Sequence, residues 1–264
     1  MSDGGSSMTT LQKEIKKCAH CGCENEFDVV CSTSTFGPSD LDTRPAPLAR
    51  YNILYGVQRC KKCNYCNENI EEKVDFDEAI LTSKNYLKVI NSNYPELAKN
   101  YMLASIIMES VMRYGDAGIF MLQACWVLDD EGLDAKKTRI VAAKLLEKEF
   151  VMDAYRLIAI DLYRRAEEFE AAKILINKSK FFIEDVYMKK VLKCEEVLVD
   201  IFDSECHDCS EIEKFIGESE LEEKLKADTP EEVLRKLFDE ESTESLYLYN
   251  DKGSCFRTNC YNST

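Results

Sequence analysis

Residues 94–128, YPELAKNYMLASIIMESVMRYGDAGIFMLQACWVL, read as two helices joined by a tight connector. Tyr94-Pro95 breaks the preceding chain, and Pro95 suits a first helical turn because the N–H it lacks would have no partner there. From Pro95 to about Arg113, Leu97, Tyr101, Ala104, Ile107, Met108 and Val111 recur at the three- and four-residue spacing of one helix face. Tyr114-Gly115-Asp116 turns the chain. A second helix over Ala117–Leu128 carries Phe120, Met121, Ala124, Cys125 and Leu128, and Glu131-Gly132 closes it. Working outward, the same period predicts helices near Phe76–Ile90, Asp134–Phe150, Asp153–Arg165, Phe169–Asn177 and Ile183–Phe202. The fold expected is mainly α.

Upstream the texture differs. Residues 1–12 read as a disordered leader, polar and without an apolar export segment. Residues 13–74 hold seven of the thirteen cysteines and three of the five prolines, which predicts a small zinc-ribbon module with an inserted loop. Its strand candidates are Glu26–Val30 and Asn52–Arg59, where Ile53, Tyr55 and Val57 alternate with other residues. Residues 75–209 form the expected helical domain. Residues 210–241 read as acidic helices: one spans Ser210–Lys226, and another starts at Thr229-Pro230-Glu231-Glu232, a capping box with proline in the first turn. Residues 242–264 carry no helical period and read as a flexible tail.

The net charge of −15 over 264 residues is uneven. Asp200–Glu244 holds 17 acidic and 5 basic residues, so that stretch alone carries −12. A chain this acidic repels nucleic acid and anionic membranes. Arg44, Arg50, Arg59, Lys61 and Lys62 nevertheless make the cysteine region locally basic. No stretch approaches 18 uninterrupted apolar residues, so no membrane span is expected. Without an export signal, the cysteines read as reduced thiols and metal ligands of a cytoplasmic protein.

Cys18-Ala-His-Cys21 and Cys60-Lys-Lys-Cys63 are two C-x2-C knuckles. A tight turn after the first Cys of each brings the second to the same side, so the pairs supply the four sulfurs of one tetrahedral Zn2+ site. Four protein ligands leave no open position, so one structural ion is expected, contributing folding energy to a module with little core. Cys60-x2-Cys63-x2-Cys66 also matches iron–sulfur spacing, but no further Cys followed by Pro completes that motif. Cys23, Cys31 and Cys66 then remain as small buried residues or as thiols of a redox sensor. His20, inside the first knuckle, reads as a ligand in place of one sulfur, as a neighbour of the metal, or as an exposed turn residue. Cys206, His207 and Cys209, with Cys255 and Cys260, are candidates for a second metal site.

With two histidines in the chain, no Ser-His-Asp or Cys-His grouping is apparent, and no phosphate-binding glycine motif occurs. The pairs Asp129-Asp130 and Glu167-Glu168 read as solvated helix ends. No catalytic residue is expected. Within Phe36–Pro45, Asp40, Asp42 and Arg44 alternate and share one face if the segment is extended. They form either a polar binding surface or the anchors of a loop fastened to the helices. Trp126 is a candidate for the lining of a groove.

Tyr114-x-x-Ala117 and Phe169-x-x-Ala172 occupy similar settings between helices, with the aromatic-to-alanine spacing of tetratricopeptide (TPR) hairpins. They lie 55 residues apart, not the usual 34, so an additional helix must intervene. The array expected is TPR-like, antiparallel and irregular. Over about residues 15–210 the chain resembles a group of uncharacterised microbial proteins that join an N-terminal zinc ribbon to TPR-like helices. The resemblance rests on Cys18-x2-Cys21, the Asp-Leu-Asp-Thr-Arg-Pro core at residues 40–45, and Cys60-x2-Cys63-Asn64-Tyr65. It continues in residues 124–130 (ACWVLDD) and in Asp161-Leu162-Tyr163-Arg164-Arg165 with Phe169 and Ala172. In that group the second knuckle reads Cys-Pro-x-Cys-Gly-Tyr; here Lys61-Lys62 and Asn64 depart from it. The resemblance implies an architecture and brings no activity. The function expected is a non-enzymatic adaptor that binds a protein partner. The alternatives are a zinc-ribbon protein contacting nucleic acid and a thiol-based redox sensor.

Overall fold

The computed structural model describes residues 10–149 and 152–217, with the backbone of a strand pair at Leu248–Tyr249 and Cys255–Phe256. The chain divides into Met1–Leu221 and Glu222–Thr264. The first unit is mainly helical and opens with an antiparallel hairpin, β1 (Thr10–Lys17) against β2 (Glu24–Ser32), in which Leu11 faces Val30 and Lys17 faces Glu24. β2 contains the expected strand and extends it at both ends. β1 is a correction: Thr10, Leu11 and Gln12, read as leader, belong to the sheet. The sequence hides β1 because one of its faces, Leu11, Lys13, Ile15 and Lys17, is exposed and mixes charged with apolar side chains.

α1 (Pro47–Arg50) runs into a 3-10 turn at Tyr51–Tyr55. The strand expected at Asn52–Arg59 is reduced to β3 (Gln58–Arg59), paired with β4 (Cys66–Asn67). The reason is tertiary. Tyr101 donates its hydroxyl to Ile53 O at 2.6 Å, and this contact fastens the 3-10 turn to a helix in spite of the local alternation. The helix expected at Phe76–Ile90 is likewise split into a 3-10 turn at Glu78–Thr82 and α2 (Lys84–Ile90). Asp77 and Ser83 each cap a new start by accepting from the backbone N–H of Ala79 and Tyr86.

α3 (Glu96–Ser110), α4 (Tyr114–Asp130), α5 (Lys136–Leu146), α6 (Asp153–Arg165), α7 (Phe169–Ser179), α8 (Val186–Asp200) and the short α9 (Ile212–Ile216) follow. Tyr114-Gly115-Asp116, read as a connector, is the first turn of α4. α9 is what the described residues show of the helix expected at Ser210–Lys226. The start expected at Thr229 lies outside the described residues, as does the stretch read as a tail apart from the strand pair β5 (Leu248–Tyr249) and β6 (Cys255–Phe256).

The α3–α4 and α6–α7 connections share one turn. Met112 (φ 60°) and Glu167 (φ 63°) adopt the left-handed conformation. The N–H of Arg113 then reaches Met108 O at 3.0 Å, and that of Glu168 reaches Tyr163 O at 2.9 Å. This helix-ending motif satisfies carbonyls that a helix end leaves open. The chain thus runs as two three-helix groups, α3–α5 and α6–α8. Tyr114 and Phe169 each open a second helix, and Ala117 and Ala172 are fully buried where the hairpins close. Ser105 on α3 donates to Ala117 O at 2.7 Å. The apolar core is continuous from Tyr65 and Ile70 beside the knuckles, through Leu103, Leu122, Leu146 and Ile160, to Leu198 and Ile216. Among the described residues, no helix is long and apolar enough to cross a membrane.

Candidate metal centre

The two knuckles are built alike. Cys18 N–H donates to Cys23 O at 2.9 Å and Gly22 N–H to Cys18 O at 2.8 Å; Cys60 N–H donates to Tyr65 O at 2.9 Å and Asn64 N–H to Cys60 O at 3.0 Å. Each turn needs a left-handed residue just after its second cysteine, Gly22 at φ 70° and Asn64 at φ 63°. Asparagine is tolerated at that backbone geometry. Here Arg59 also holds its side-chain oxygen at 2.8 Å and 3.1 Å, and Tyr86 donates to its carbonyl at 2.6 Å.

The turns bring four sulfurs together. Cys18 Sγ lies 3.7 Å from Cys63 Sγ, Cys21 Sγ lies 3.6 Å from Cys60 Sγ, and all four fall within 4.8 Å of one another. This cluster could hold a metal ion. Burial opposes ionisation of Cys60, but the backbone N–H groups of Cys63 and Lys62 and the neighbouring thiols outweigh it and lower the thiol to about 6. Burial drives Cys63 the other way. Asn25, also buried, ties the knuckles together: its amide donates to Cys23 O at 2.8 Å and to Cys60 Sγ at 3.7 Å, and its oxygen accepts from Lys61 N–H at 3.0 Å. Sequence reasoning missed Asn25; its place opposite Lys16 on the inward side of the hairpin is visible only once β1 is paired.

His20 is neither a ligand nor a free turn residue. Its ring packs against Phe76 and Tyr65, at centroid distances of 5.6 Å and 6.2 Å, and Tyr65 stacks on Phe76. Cys66 is fully buried, and burial pushes its thiol up to about 12. Cys23 is half-buried and Cys31 exposed.

The residues considered for a second metal site have other partners. Cys206 Sγ approaches Asp40 Oδ2 at 3.5 Å, and Cys209 Sγ approaches Asp40 O and Ser39 Oγ, each at 3.7 Å. His207 stands between Asp203 and Glu211, at 3.2 Å and 3.0 Å. The side chains of Cys255 and Cys260 lie outside the described residues. Among the described residues, the four-cysteine cluster is the one group of His, Cys, Asp or Glu arranged to hold a metal.

The loop framed by the knuckles lies on the helices. Asp40, Asp42 and Arg44 are all buried, so the shared exposed face of the binding-surface reading is absent. Asp42 Oδ2 accepts from Trp126 Nε1 at 2.7 Å and from Arg165 at 2.9 Å, and its other oxygen accepts from Arg44 N–H at 3.0 Å. Arg44 pairs with Asp130 at 2.5 Å, and Asp40 with Arg50 at 2.7 Å. Trp126 is buried beneath this loop, its ring facing Arg44, and does not line an open groove. Asp129, read as a solvated helix end, grips Arg139 with both oxygens and Arg165 at 2.9 Å. Burial first, then the charge of Asp161, pushes Asp42 up to about 6 against the pull of Arg165. The loop also meets the far end of the helices: Leu41 N–H donates to His207 O at 2.9 Å and Cys209 N–H to Ser39 O at 2.8 Å.

In comparison with known proteins, the chain matches no family model, no curated protein and no solved structure.

Proposed function

We propose that this protein is a zinc-bound, non-enzymatic adaptor whose TPR-like helices hold a protein partner. Zinc is the ion that the donor set suits best. Four sulfurs about 2.3 Å from Zn2+ in a tetrahedron stand about 3.8 Å apart, close to the sulfur separations at the knuckles. The ion is then a staple for a zinc ribbon, with no position left for a substrate.

One contrast carries the adaptor reading. The ionisable side chains around the loop bond one another, whereas Ile174, Phe182, Val186, Tyr187, Ile201 and Phe202 stay exposed on the last two long helices and their ends. Exposed apolar surface of this kind suits a protein partner. A groove of about 380 Å³ lies here, lined by Val186, Tyr187, Lys190, Cys209 and Ile212 among others. The nucleic-acid alternative has less support. Arg44, Arg50 and Arg59 are held by Asp130, Asp40 and Glu96, and of the local basic set Lys61 and Lys62 remain exposed.

The test is affinity capture with the full chain and with a Tyr187→Ser/Phe202→Ser variant. A protein retained by the first and lost with the second, at unchanged thermal stability, supports the adaptor. Retention of DNA or RNA that weakens steeply with salt overturns it. Metal analysis of the same preparation should find one zinc per chain, and strong chelators should abolish the protection of the hairpin and knuckles, residues 10–32 and 58–67, in hydrogen exchange while leaving α3–α8 and the loop fastened to them folded.

A further inference from the structure

Two buried carboxylates share one guanidinium, and each keeps an oxygen without a donor. Arg164, at 0% exposure, donates through Nη2 to Asp161 Oδ1 at 2.6 Å and through Nε to Glu195 Oε2 at 2.7 Å. The remaining oxygens, Asp161 Oδ2 and Glu195 Oε1, accept no hydrogen bond. Arg165 Nη1 stands 4.0 Å from Asp161 Oδ2, too far to donate. Nε and Nη2 point from the same edge of the guanidinium, so the two carboxyl groups sit side by side on it. Two ionised carboxylates have no proton to place between them and repel strongly in a dry interior. The charges around them do not balance either. Asp42, Asp129, Asp161 and Glu195 face Arg139, Arg164 and Arg165, so four carboxylates meet three guanidiniums.

One added proton corrects both faults. We propose that Asp161 and Glu195 share a single proton, which makes the Arg164 clasp a pH-sensitive latch holding α8 and residues 203–209 against α6. The latch reaches residues 203–209 because Arg164 Nη1 also donates to Asp203 O at 3.0 Å and Glu205 O at 2.8 Å.

Groups on every neighbouring element bear on this proton. From α6 come Asp161, Arg164 and Arg165; from the loop, Asp42; after α8, Asp203 and Cys206; from the turn before α9, Cys209 and Glu211; on α8 itself, Cys194. The Lys180–Glu196 pair between α7 and α8 is more exposed than these buried groups. Burial, helped by Asp161 and opposed by Arg164, moves Glu195 up to about 8. The folded chain therefore binds one more proton than the unfolded chain between the ordinary carboxylate range and that value. Its stability is greatest at the acid end of this window and falls as pH rises through it.

The experiment follows unfolding from pH 5 to pH 9, with infrared spectra, for the wild-type chain, Glu195→Gln and Asp161→Asn. Either amide supplies the bridging hydrogen permanently. The wild-type unfolding constant should rise by up to about tenfold per pH unit across the window, and each variant should flatten that rise. A protonated-carboxyl band should be present in the wild-type chain at pH 7, titrate near the upper end of the window and vanish in both variants. Above it, the Leu41 and Cys209 amides should lose hydrogen-exchange protection in the wild-type chain and keep it in Glu195→Gln. Absence of the band at pH 7 in the wild-type chain overturns the proposal, and that measurement needs no variant to fold. Equal pH dependence in wild type and folded variants overturns it as well.

Discussion

Met112 and Glu167 turn two helical hairpins with the same backbone geometry, yet the interiors behind those turns differ in chemistry. α3 and α4 bury Leu103, Ile107, Met108, Leu122, Val127 and Leu128, with Lys99 and Ser105 as the polar exceptions. α6 buries Arg156, Asp161 and Arg164 among Leu157, Ile160 and Leu162, and α8 answers with the fully buried Glu195. The contact of α3 with α4 is closed by shape, and that of α6 with α8 by charge. An apolar interface tolerates the loss of a methyl group at modest cost. A buried ion cluster adds little net stability over well-packed apolar residues, but it fails badly when one partner is removed. The second group therefore fixes which surfaces meet more than how strongly they adhere.

Arg164→Met should break this comparison with the largest effect. Leaving Asp161 and Glu195 without their cation costs about 3–5 kcal/mol, read as a shift of the denaturation midpoint. Ile107→Val, in the apolar hairpin, should cost only about 1 kcal/mol. Replacing Arg164, Asp161 and Glu195 together by Met, Leu and Met should recover most of the loss; a triple variant as unstable as Arg164→Met would mean that charge is not what closes the contact of α6 with α8. Trp126→Phe is next. It removes one of the three buried donors to Asp42 and should cost about 1–3 kcal/mol in denaturant titration.

Asp42→Asn probes the same pocket through pH. The native carboxyl titrates at about 6, above its ordinary value of 3.8, so the folded chain holds that proton longer than the unfolded one. Stability should therefore fall more steeply as pH climbs from about 4 to about 6, and the asparagine variant should lose Asp42's share of that slope while keeping the part due to Glu195. The smallest effects sharpen the comparison from the other side. Met112→Gly and Glu167→Gly relieve left-handed strain and should each raise the melting free energy by up to about 1 kcal/mol. Equal gains would show that the two turns are energetically alike and that the difference lies only behind them.

The apolar hairpin was legible in the sequence for the same reason that the charged contact of α6 with α8 was not. Leu97, Tyr101, Ala104 and Met108 repeat at helical spacing, and the bounds of α6 follow from its periodicity too. The knuckles were readable because a C-x2-C turn is local and needs no tertiary information. Nothing local distinguishes Arg164 from a solvated arginine, or Asp129 from a frayed helix end, since their partners stand 31 residues away at Glu195 and 36 at Arg165. Asp42 and Trp126 are 84 residues apart, so an alternating Asp-x-Asp-x-Arg could be read as a surface as easily as an anchor. The 3-10 turn at Tyr51–Tyr55 was hidden likewise, because its cause is a tyrosine hydroxyl on another element.

The backbone bridge between Asp40 and Asp208 joins the region before the first long helix to the region after the last one. A linear stack of helices, in which each contacts only its neighbours, can unzip from either end one unit at a time. With residues 39–41 bonded to 207–209, neither end is free to fray while the other holds. The helical array behaves as a ring closed by one short seam. Closing that seam requires a loop of more than 160 residues to meet its own beginning, so it belongs late in folding, after the local hairpins have formed.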